Sequence, residues 1–483
     1  MNKFNPNFYL DAKDDAEMIQ QAVNEAAKSG EKVIIPRHNA RTNADIWMIP
    51  RAIKLYTGST ICLDNCHLRQ TDDSFDNIFK NSYARTDEGR LIENRQYDIH
   101  IYGLGNAVLD GGNHNGLVER NANRDGRPTT LVNSPLHFVN CERLCIENLR
   151  IVNSRYWGMC FHYCSSGRVS NIHFMSVGNC PNQDGIDLRT GCNSFVIENI
   201  SGFTQDDTIA LTCLKDGGKY DIEGMDDSIH NVIIRNITSF TLCAQIRLLN
   251  NYGKKIYNIL IENVQNFAEY DPCDERSNSL PLRIPMSKNY YIDSETTSAM
   301  PGGEYWAMFT PDRYWTAASI RLDENHYSDP NDPNSAAKLG QMYNITVRNI
   351  QSRARTPVYI ARALCDSVIE NVQVFGKSPI AVYFDKGEYD NIKLRDISFN
   401  RNASHDPAHD NIKEEDWCGF DSRSVVYFKK AKATNIFADG ITTAFDSQAV
   451  FAGSGDVSIT ARDICSRNSD IPLSKGDVKV KVL

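Results

Sequence analysis

The chain has 483 residues, of which 41% are apolar and 23% are charged, and its net charge is −9. This composition is typical of a globular protein with one large core or several modules. A basic nucleic-acid binder is disfavoured, because phosphate binding needs a dense positive surface. An acidic polysaccharide remains possible as a ligand, since it needs only a local positive patch.

No segment approaches the roughly 20 consecutive apolar residues that cross a bilayer, so no membrane partner is expected. Residues 1–15 lack the basic and apolar regions of a secretory signal. The expected location is cytoplasmic, or secreted or periplasmic if a signal peptide was removed. The sequence leaves the oligomeric state open.

The 14 cysteines are too sparse for a disulfide scaffold. Three pairs have C-x3-C spacing: Cys62/Cys66, Cys141/Cys145 and Cys160/Cys164. None is accompanied at ligand spacing by a second pair or by two histidines, as a zinc site would require. We therefore expect buried, reduced thiols and neither a metal site nor a cofactor.

The first predicted element is an amphipathic helix that opens at Asp14-Asp15. Its apolar residues recur at helical spacing, and it ends at Gly30. A strand at 33–36 follows. We expect the segment of about 11–36 to cap the first coil of a repeat structure and protect it from edge pairing.

From residue 145 onward a phrase recurs, apolar-x-apolar-x-Asn/Asp-apolar, whose β-branched residues alternate as in strands. The marker Asn or Asp of this phrase stands at 148, 171, 199, 236, 263, 349, 371, 396, 439 and 463. Gaps of 22 to 28 residues dominate. This spacing indicates a solenoid whose units stack on their neighbours.

Short strands without intervening helices predict an all-β chain folded as a parallel β-helix. The alternative, a β-propeller, needs about 40–45 residues in each blade, which is more than these gaps provide. Asparagine at a tight bend of every coil could form a ladder, each amide bonding the next coil at the ~4.8 Å strand spacing. We expect a single domain over 1–483.

Three excursions interrupt the repeat, at about 215–227, 269–318 and 400–421. Long insertions on one face of a solenoid usually form its binding side. The second excursion is rich in aromatic residues, which could stack on sugar rings, as could Trp157. Packing within the protein is the alternative for each of these aromatic side chains.

Acidic residues concentrate in two adjacent coils. Asp184 precedes Asp206 by 22 residues, one repeat, and Asp207 follows directly. Residues one coil apart lie above each other, and inverting glycoside hydrolysis needs two carboxyl groups about 6.5–9.5 Å apart. Three such acids would repel one another and raise the pKa of one of them. Neighbours in a regular strand face opposite ways, so Asp206 and Asp207 share a cleft only if the backbone bends.

The phrases NQDGID (182–187) and QDD (205–207), on a repeat of this period, resemble the catalytic signatures of glycoside hydrolase family 28, the polygalacturonases. The resemblance extends from Asp14 through YGLGNAVLDGG (102–112) to the coils beyond Ile345, which is most of the chain. It implies a right-handed, pectin-lyase-like β-helix. It also implies a glycosidase that cleaves a pectic or related polysaccharide or oligosaccharide by acid–base hydrolysis with inversion.

Carried over to this sequence, the resemblance implies that Asp206 is the general acid. Asp184 and Asp207 would hold and activate the attacking water. Asn182 and Asp187 match flanking positions of the motif and would shape the pocket that binds the substrate.

Two family signatures are altered. Cys243 stands where the family usually carries a histidine, and Arg321-Leu322-Asp323 aligns with its Arg-Ile-Lys. The aspartate would repel a uronate carboxylate that the lysine would attract. Either the sugar at the cleavage site is not plain galacturonate, which we favour, or other basic groups bind it. The candidates for such groups are Arg189, Arg247 and Arg283. For Arg247 and Arg321 the alternative is a surface arginine paired with an aspartate.

Two other functions remain open. A polysaccharide lyase would act by β-elimination, with the three aspartates as calcium ligands. A non-catalytic β-helix, similar to a tailspike or an adhesin, would only bind glycans. In each case the expected partner is a carbohydrate.

Overall fold

The structure is a computed structural model of the chain. It describes residues 4–118, 122, 126–176, 182–215, 221–241, 243–266, 318–322, 329, 331–376, 378–401 and 423–483. The chain divides into two compact units. Unit 1 contains the described residues up to Asp206 together with 221–227, and unit 2 contains 207–215 and the described residues from Ser228 onward, to Leu483. The single domain over 1–483 stays a prediction.

Unit 1 is built from short parallel strands. Its strands in the described residues are β1 (Val33–Pro36), β2 (Trp47–Ile49), β3 (Ile53–Leu55), β4 (Thr60–Asp64), β5 (His67–Gln70), β6 (Phe79–Asn81), β7 (Gln96–Tyr97), β8 (His100–Leu104), β9 (Val108–Asp110), β10 (Leu136–Val139), β11 (Cys141–Glu142), β12 (Cys145–Val152), β13 (Met159–His162), β14 (Arg168–Met175), β15 (Ile186–Arg189) and β16 (Val196–Thr204). Four 3-10 turns lie at Pro6–Phe8, Glu88–Arg90, Ile92–Asn94 and Thr130–Asn133.

The strands of unit 1 pair in parallel with strands of the next coil rather than with their sequence neighbours. One series runs β1–β4–β8–β12–β14–β16, a second β2–β5–β9–β12 and a third β3–β6–β10–β13–β15. A short pair, β7–β11, stands apart. This is the coil-on-coil pairing of a parallel β-helix.

Unit 2 has longer strands that also pair in parallel. They are β17 (Ile209–Cys213), β18 (Ile229–Thr241), β19 (Ala244–Asn250), β20 (Ile256–Gln265), β21 (Ala318–Leu322), β22 (Met342–Ser352), β23 (Val358–Val374), β24 (Ile380–Phe399), β25 (Ser424–Thr442), β26 (Ala449–Cys465) and β27 (Ser474–Val482). One series runs β17–β19–β21–β23 and the other β18–β20–β22–β23–β24–β25–β26–β27, all parallel. From β22 onward each strand pairs with the next one in sequence. The predicted all-β class and right-handed parallel β-helix are confirmed.

The helix α1 spans Asp15–Ser29, where the sequence predicts it. The carboxylate of Asp14 caps it by accepting a hydrogen bond from the backbone N–H of Glu17. Gly30 ends it in the left-handed conformation, with φ 68°. The buried face of the helix packs against β2 and β3. No helix among the described residues is long and apolar enough to span a bilayer.

The core of each unit consists of apolar side chains stacked in register inside the coils. In unit 1 one such column is Val33, Ile61, Ile101, Ile146, Val169 and Ile197. In unit 2 a corresponding column is Ile209, Ile246, Ile320, Val358, Val382, Val426 and Phe451. Alternate residues of the same strands point outward, which is where the polar side chains of the site lie.

The predicted asparagine ladder is present in both units. In unit 1 amide-to-amide hydrogen bonds of 2.9 Å join Asn148, Asn171 and Asn199. In unit 2 bonds of 2.9 to 3.0 Å join Asn236, Asn263, Asn349 and Asn371. Every one of these residues has a positive φ, between 50° and 59°. Asparagine tolerates that conformation better than other side chains, which explains its recurrence. At the marker Asp439 the left-handed residue is instead Gly440.

The predicted excursions fall largely outside the described residues. Of 215–227, the described part beyond Lys215 is 221–227, which forms turns rather than strands. Of 269–318, the structure describes Ala318, the first residue of β21, and of 400–421 it describes residues 400 and 401. Asp323 and Arg283 also lie outside the described residues.

Candidate active site

Asp184 lies in a segment that the backbone of β13 holds in place. The N–H of Gly158 donates to the carbonyl of Asp184, and the N–H of Met159 to that of Gly185, both at 2.9 Å. A Cβ atom at Gly158 would lie 2.8 Å from the carbonyl oxygen of Gly185, so the close approach of these two backbone segments requires glycine at 158. Asp184 is 6% exposed. Two backbone hydrogen bonds therefore fix the position of the chain at this carboxyl group.

Asp206 stands at a bend of the chain. The backbone bends at Gln205 and Asp206, after β16 has ended and before β17 begins. The side chains of Asp206 and Asp207 therefore do not alternate as they would in a regular strand. The backbone bend that the sequence analysis requires at these two residues is present. The N–H of Asp206 points to the carbonyl of Gln183 at 3.5 Å, and its own carbonyl accepts a bond from the Thr204 hydroxyl at 2.9 Å.

A buried glutamine precedes each of these two aspartates, a feature that the sequence reasoning missed. Gln183 donates through its side-chain amide to the carbonyl of Ser154 at 2.7 Å. Its backbone N–H points to the side-chain oxygen of Gln205 at 3.5 Å. Both glutamines are at most 1% exposed. The signal for them was present, because the dipeptide Gln-Asp occurs in both motif phrases.

Two flanking positions of the motif also belong to unit 1. Asp187 lies on β15, is 1% exposed, and is the register neighbour of Cys160 on β13. Asn182 adopts a left-handed conformation with φ 58°, which asparagine tolerates. Their role in shaping a substrate pocket stays a prediction.

Trp157 is partly buried and makes contacts within unit 1. Its ring stacks on Tyr156 with centroids 4.6 Å apart, and the guanidinium of Arg189 lies 4.8 Å from the centre of the Trp157 ring. Trp157 also packs against a buried cluster that includes Cys160. Any sugar would have to bind the part of this indole that these contacts leave accessible.

In unit 2 the carboxylate of Asp207 is held by two donors. Its Oδ1 accepts a bond from the backbone N–H of Ala244 at 3.0 Å, and its Oδ2 accepts one from Arg247 at 3.1 Å. The side chains of Asp207 and Arg247 are 2% and 11% exposed. The pair is therefore largely shielded from water, where a charge-assisted hydrogen bond is strong. Arg247 thus pairs with an aspartate but is largely buried rather than at the surface, and its role in binding substrate stays a prediction.

Arg321 follows Arg247 in the parallel register, one coil further along unit 2. Its guanidinium carbon lies 5.3 Å from the centre of the Tyr359 ring, and its Nη1 is 3.9 Å from the sulfur of Cys243. The Tyr359 hydroxyl donates to Asp385 at 2.9 Å. The guanidinium of Arg321 is thus oriented by a cation–π contact with Tyr359, and Cys243 lies beside it.

Arg321 is part of a longer row of outward-facing side chains, one on each coil. We call this row the arginine–tyrosine column; it consists of Arg247, Arg321, Tyr359, Tyr383 and Tyr427. Burial, and next the charge of Asp385, raise the pKa of Tyr383 far above its usual range. The sequence reasoning missed the three tyrosines, although they recur as V-Y-I, V-Y-F and V-Y-F at the same place in successive coils.

The structure thus places the predicted residues in two groups. In unit 1 the backbone segments of Asp184 and Asp206 are joined through Gln183, while Trp157 lies with Arg189 and Tyr156. In unit 2 Asp207 binds Arg247, and Arg321 is the next residue of the column. The assignment of catalytic and substrate-binding roles to these residues stays a prediction.

Sequence comparison relates the chain to polygalacturonases. No family model matches it. It is 26% identical to the polygalacturonase QRT2 of Arabidopsis thaliana over 204 residues, which are 36% of this chain and 45% of that protein. It is 23% identical to a polygalacturonase of Persea americana over 328 residues, 60% of this chain and 66% of that protein. The chain therefore matches less than two thirds of either relative. The predicted resemblance is confirmed at this low identity.

Structure comparison supports the fold. A tailspike protein of E. coli bacteriophage HK620 aligns with 97% of this chain and 76% of its own, at a TM-score of 0.53 and 9% sequence identity. A likeness at this identity concerns the fold alone.

Proposed function

Because the chain is a divergent relative of the polygalacturonases, we propose that it is a glycoside hydrolase that degrades a pectic or related polysaccharide or oligosaccharide. The reaction in this proposal is acid–base hydrolysis with inversion at the anomeric carbon. Asp206 acts as the general acid, and Asp184 and Asp207 hold and activate the attacking water. The proposed partner is thus a carbohydrate substrate.

The observation that carries the proposal is the setting of Asp207. A backbone N–H and the Arg247 guanidinium each donate to one of its oxygens. The two donors fix the orientation of the carboxylate. A carboxylate held in a fixed orientation is what a water-activating base requires.

Asp206 suits the acid role for a different reason. It is 3% exposed, and its backbone is anchored at the bend by Thr204 and Gln183. A general acid must be held at a fixed position beside the leaving oxygen, and the backbone contacts of Asp206 give its side chain such an anchor.

The arginine that the family uses for uronate recognition has its counterpart in Arg321. Its stacking on Tyr359 directs the planar guanidinium, which can bind a carboxylate through two parallel hydrogen bonds. Arg247 is bonded to Asp207. We therefore assign carboxylate recognition to Arg321, and expect the aspartate at 323 to reduce the preference for plain polygalacturonate.

Product analysis tests this function. The purified protein is incubated with a panel of pectic and neutral oligosaccharides, and the products are resolved by mass and by the anomeric signals in NMR. Inverting hydrolysis yields saturated products, and the anomer that forms first has the opposite anomeric configuration to the glycosidic bond that was cleaved. Unsaturated, ultraviolet-absorbing products that a chelator abolishes would instead show a calcium-dependent lyase. Glycan binding without any product would show a non-catalytic β-helix.

A further inference from the structure

Three metal-binding side chains meet on the outward face of unit 1, and the proposed hydrolysis uses none of them. His137 on β10 and Cys160 and His162 on β13 each offer one ligand atom, and these atoms lie within 4.8 Å of one another. His137 is the register neighbour of Cys160. Cys160 and His162 are two residues apart and therefore share one face of their strand. The parallel pairing of two coils thus assembles the cluster.

The cluster is closed off from solvent. His137 and Cys160 are 0% exposed, and His162 is 2% exposed. Although the three side chains point away from the core of the coil, other segments cover them, because Cys160 packs with Ala84 and Leu131 in a buried cluster. Two imidazoles and a thiol have therefore been placed together in a site without bulk water.

The donor set and its spacing suit a transition metal. Imidazole nitrogen and thiolate sulfur are the ligands that structural zinc sites use. In a tetrahedral zinc site neighbouring ligand atoms lie about 3.3–3.8 Å apart. The rings of His137 and His162 are 5.7 Å apart between centroids and inclined at 60°, so they are not stacked against each other. Shifts of about 1 Å would bring the three ligand atoms to bonding distance.

Charged groups of both signs lie around the cluster, and the cations Lys80 and Arg85 act on His137 while Arg189 acts on His162. Asp187 is the register neighbour of Cys160 on the side away from His137. A divalent ion bound by the Cys160 thiolate would carry one net positive charge, which the Asp187 carboxylate can balance. On the other side, Lys80 and Arg85 both bind Asp76. Buried charges persist where they are paired in this way.

A second group with metal-binding atoms in unit 1 makes a useful contrast. His100, Cys145 and Glu147 also lie within reach of a common ion, but all three are partly exposed. His100 is already bonded to Glu147 at 3.1 Å. This group resembles an ordinary surface ion pair, whereas the first cluster is buried and contains two histidines.

We propose that His137, Cys160 and His162 supply three of the four ligands of a metal site that binds one transition-metal ion, with Zn²⁺ as the ion that these donors fit best. The ion would bind β10 to β13 beneath the segments that cover them. Its role is to stabilise this part of unit 1, since metal-binding free energy adds to folding free energy. None of the three ligands is a residue that the proposed hydrolysis uses.

The test measures the metal in the intact protein. The chain is produced in minimal medium supplemented with Zn²⁺ or with Co²⁺, and the purified protein is analysed for its metal content. The wild type should contain one equivalent of either ion. The cobalt form should show a thiolate-to-cobalt charge-transfer band in the near ultraviolet, and it should melt at a higher temperature than protein produced with a chelator.

Variants identify the ligands. Cys160→Ser should abolish the charge-transfer band and reduce the bound metal at least tenfold, and His162→Gln should also reduce the metal. Cys192→Ser is the matched control, because Cys192 is a buried thiol of unit 1 outside the cluster. It should keep both the band and the metal. A metal-free wild type, a cobalt form without the band, or metal retained in Cys160→Ser would each overturn the proposal, and the wild-type results stand even if a variant fails to fold.

Discussion

The asparagine ladders and the arginine–tyrosine column both result from the parallel register of successive coils, but they differ in whether the same residue type recurs in each coil. Each ladder position carries asparagine, because asparagine tolerates the left-handed backbone at the bend and its amide bonds the amide of the next coil. The column also has one side chain on each coil, but its residue type changes from arginine to tyrosine along unit 2. Backbone conformation therefore fixes residue type in the ladder, whereas neighbouring side chains do so in the column.

This difference suggests that positions with a recurring residue type and positions without one have different roles. The repeated positions should govern folding stability and leave the reaction unchanged. Among the unrepeated positions, the three aspartates should govern the reaction and leave stability largely unchanged. Substitutions of both kinds test this distinction.

The largest effect is expected from Asp206→Asn, which removes the proposed general acid while keeping the size of the side chain. Loss of a positioned acid should lower kcat by about 10²–10⁴-fold. The melting temperature should stay close to that of the wild type, because no strand or core residue changes. Asp98→Asn, on an exposed ion pair with Arg143, is the control and should keep full activity. Full activity in Asp206→Asn would rule out the acid assignment.

The opposite pattern is expected from Asn263→Ala in the middle of the ladder of unit 2. This change removes one amide bond to Asn236 and one from Asn349, and it leaves alanine at φ 58°. Together these losses should lower the free energy of unfolding by about 1–3 kcal/mol, measured in urea. Activity at 25 °C should be unchanged.

Asn263→Gly separates the two causes, because glycine accepts a positive φ without a steric cost. It should recover part of the loss in unfolding free energy, and the remainder measures the ladder bonds. If Asn263→Ala were as stable as the wild type, the ladder would not be a stabilising feature and the comparison would fail.

The same distinction explains what the sequence could predict. Asn148, Asn171 and Asn199 were predictable, since a bend that recurs in every coil imposes the same residue again and again. The helix at Asp15–Ser29 was predictable for the same kind of reason, because its cap and its terminal glycine follow from backbone geometry. Backbone conformation at these positions depends on residues that are close in sequence.

Contacts between side chains of different coils were harder to predict. Tyr359 meets Arg321 only because β21 and β23 are neighbours in the register, although 38 residues of sequence separate them. Cys160 and His162 meet His137 for the same reason. Neither arrangement has a fixed spacing in the sequence, so spacing rules for metal sites could not find the second. Aligning the successive coils would have revealed both.

An intermediate effect, dependent on pH, is expected at Asp110 in unit 1. Burial raises the pKa of its carboxyl group, but hydrogen bonds from His67 and the Gly112 N–H and the charge of Arg69 outweigh burial and hold the pKa below its usual range. A lowered folded-state pKa stabilises the protein above the unfolded value of about 3.9, and this stabilisation is lost as the pH falls through the folded value.

Asp110→Asn should therefore lower the free energy of unfolding at pH 7 by about 1–3 kcal/mol. The difference from the wild type should shrink steadily as urea unfolding is repeated below pH 4, where the wild-type carboxyl becomes protonated. Asp98→Asn serves again as the control, since exposed ion pairs contribute little at any pH. A difference at Asp110 that stayed constant with pH would show that packing, rather than charge, accounts for it.

The smallest expected effect concerns the column itself and distinguishes the ring of Tyr359 from its hydroxyl. Tyr359→Leu removes the aromatic face on which Arg321 lies, and a cation–π contact contributes about 0.5–2 kcal/mol. Tyr359→Phe keeps that face and loses only the hydrogen bond to Asp385. If the orientation of Arg321 supports recognition of a uronate, Tyr359→Leu should lower kcat/KM for acidic oligosaccharides a few-fold, mainly through KM, and leave neutral ones unaffected. Tyr359→Phe should stay close to the wild type with both substrates. Equal losses in the two variants, or equal losses for acidic and neutral substrates, would mean that Tyr359 supports the fold and that the column does not orient the arginine for binding.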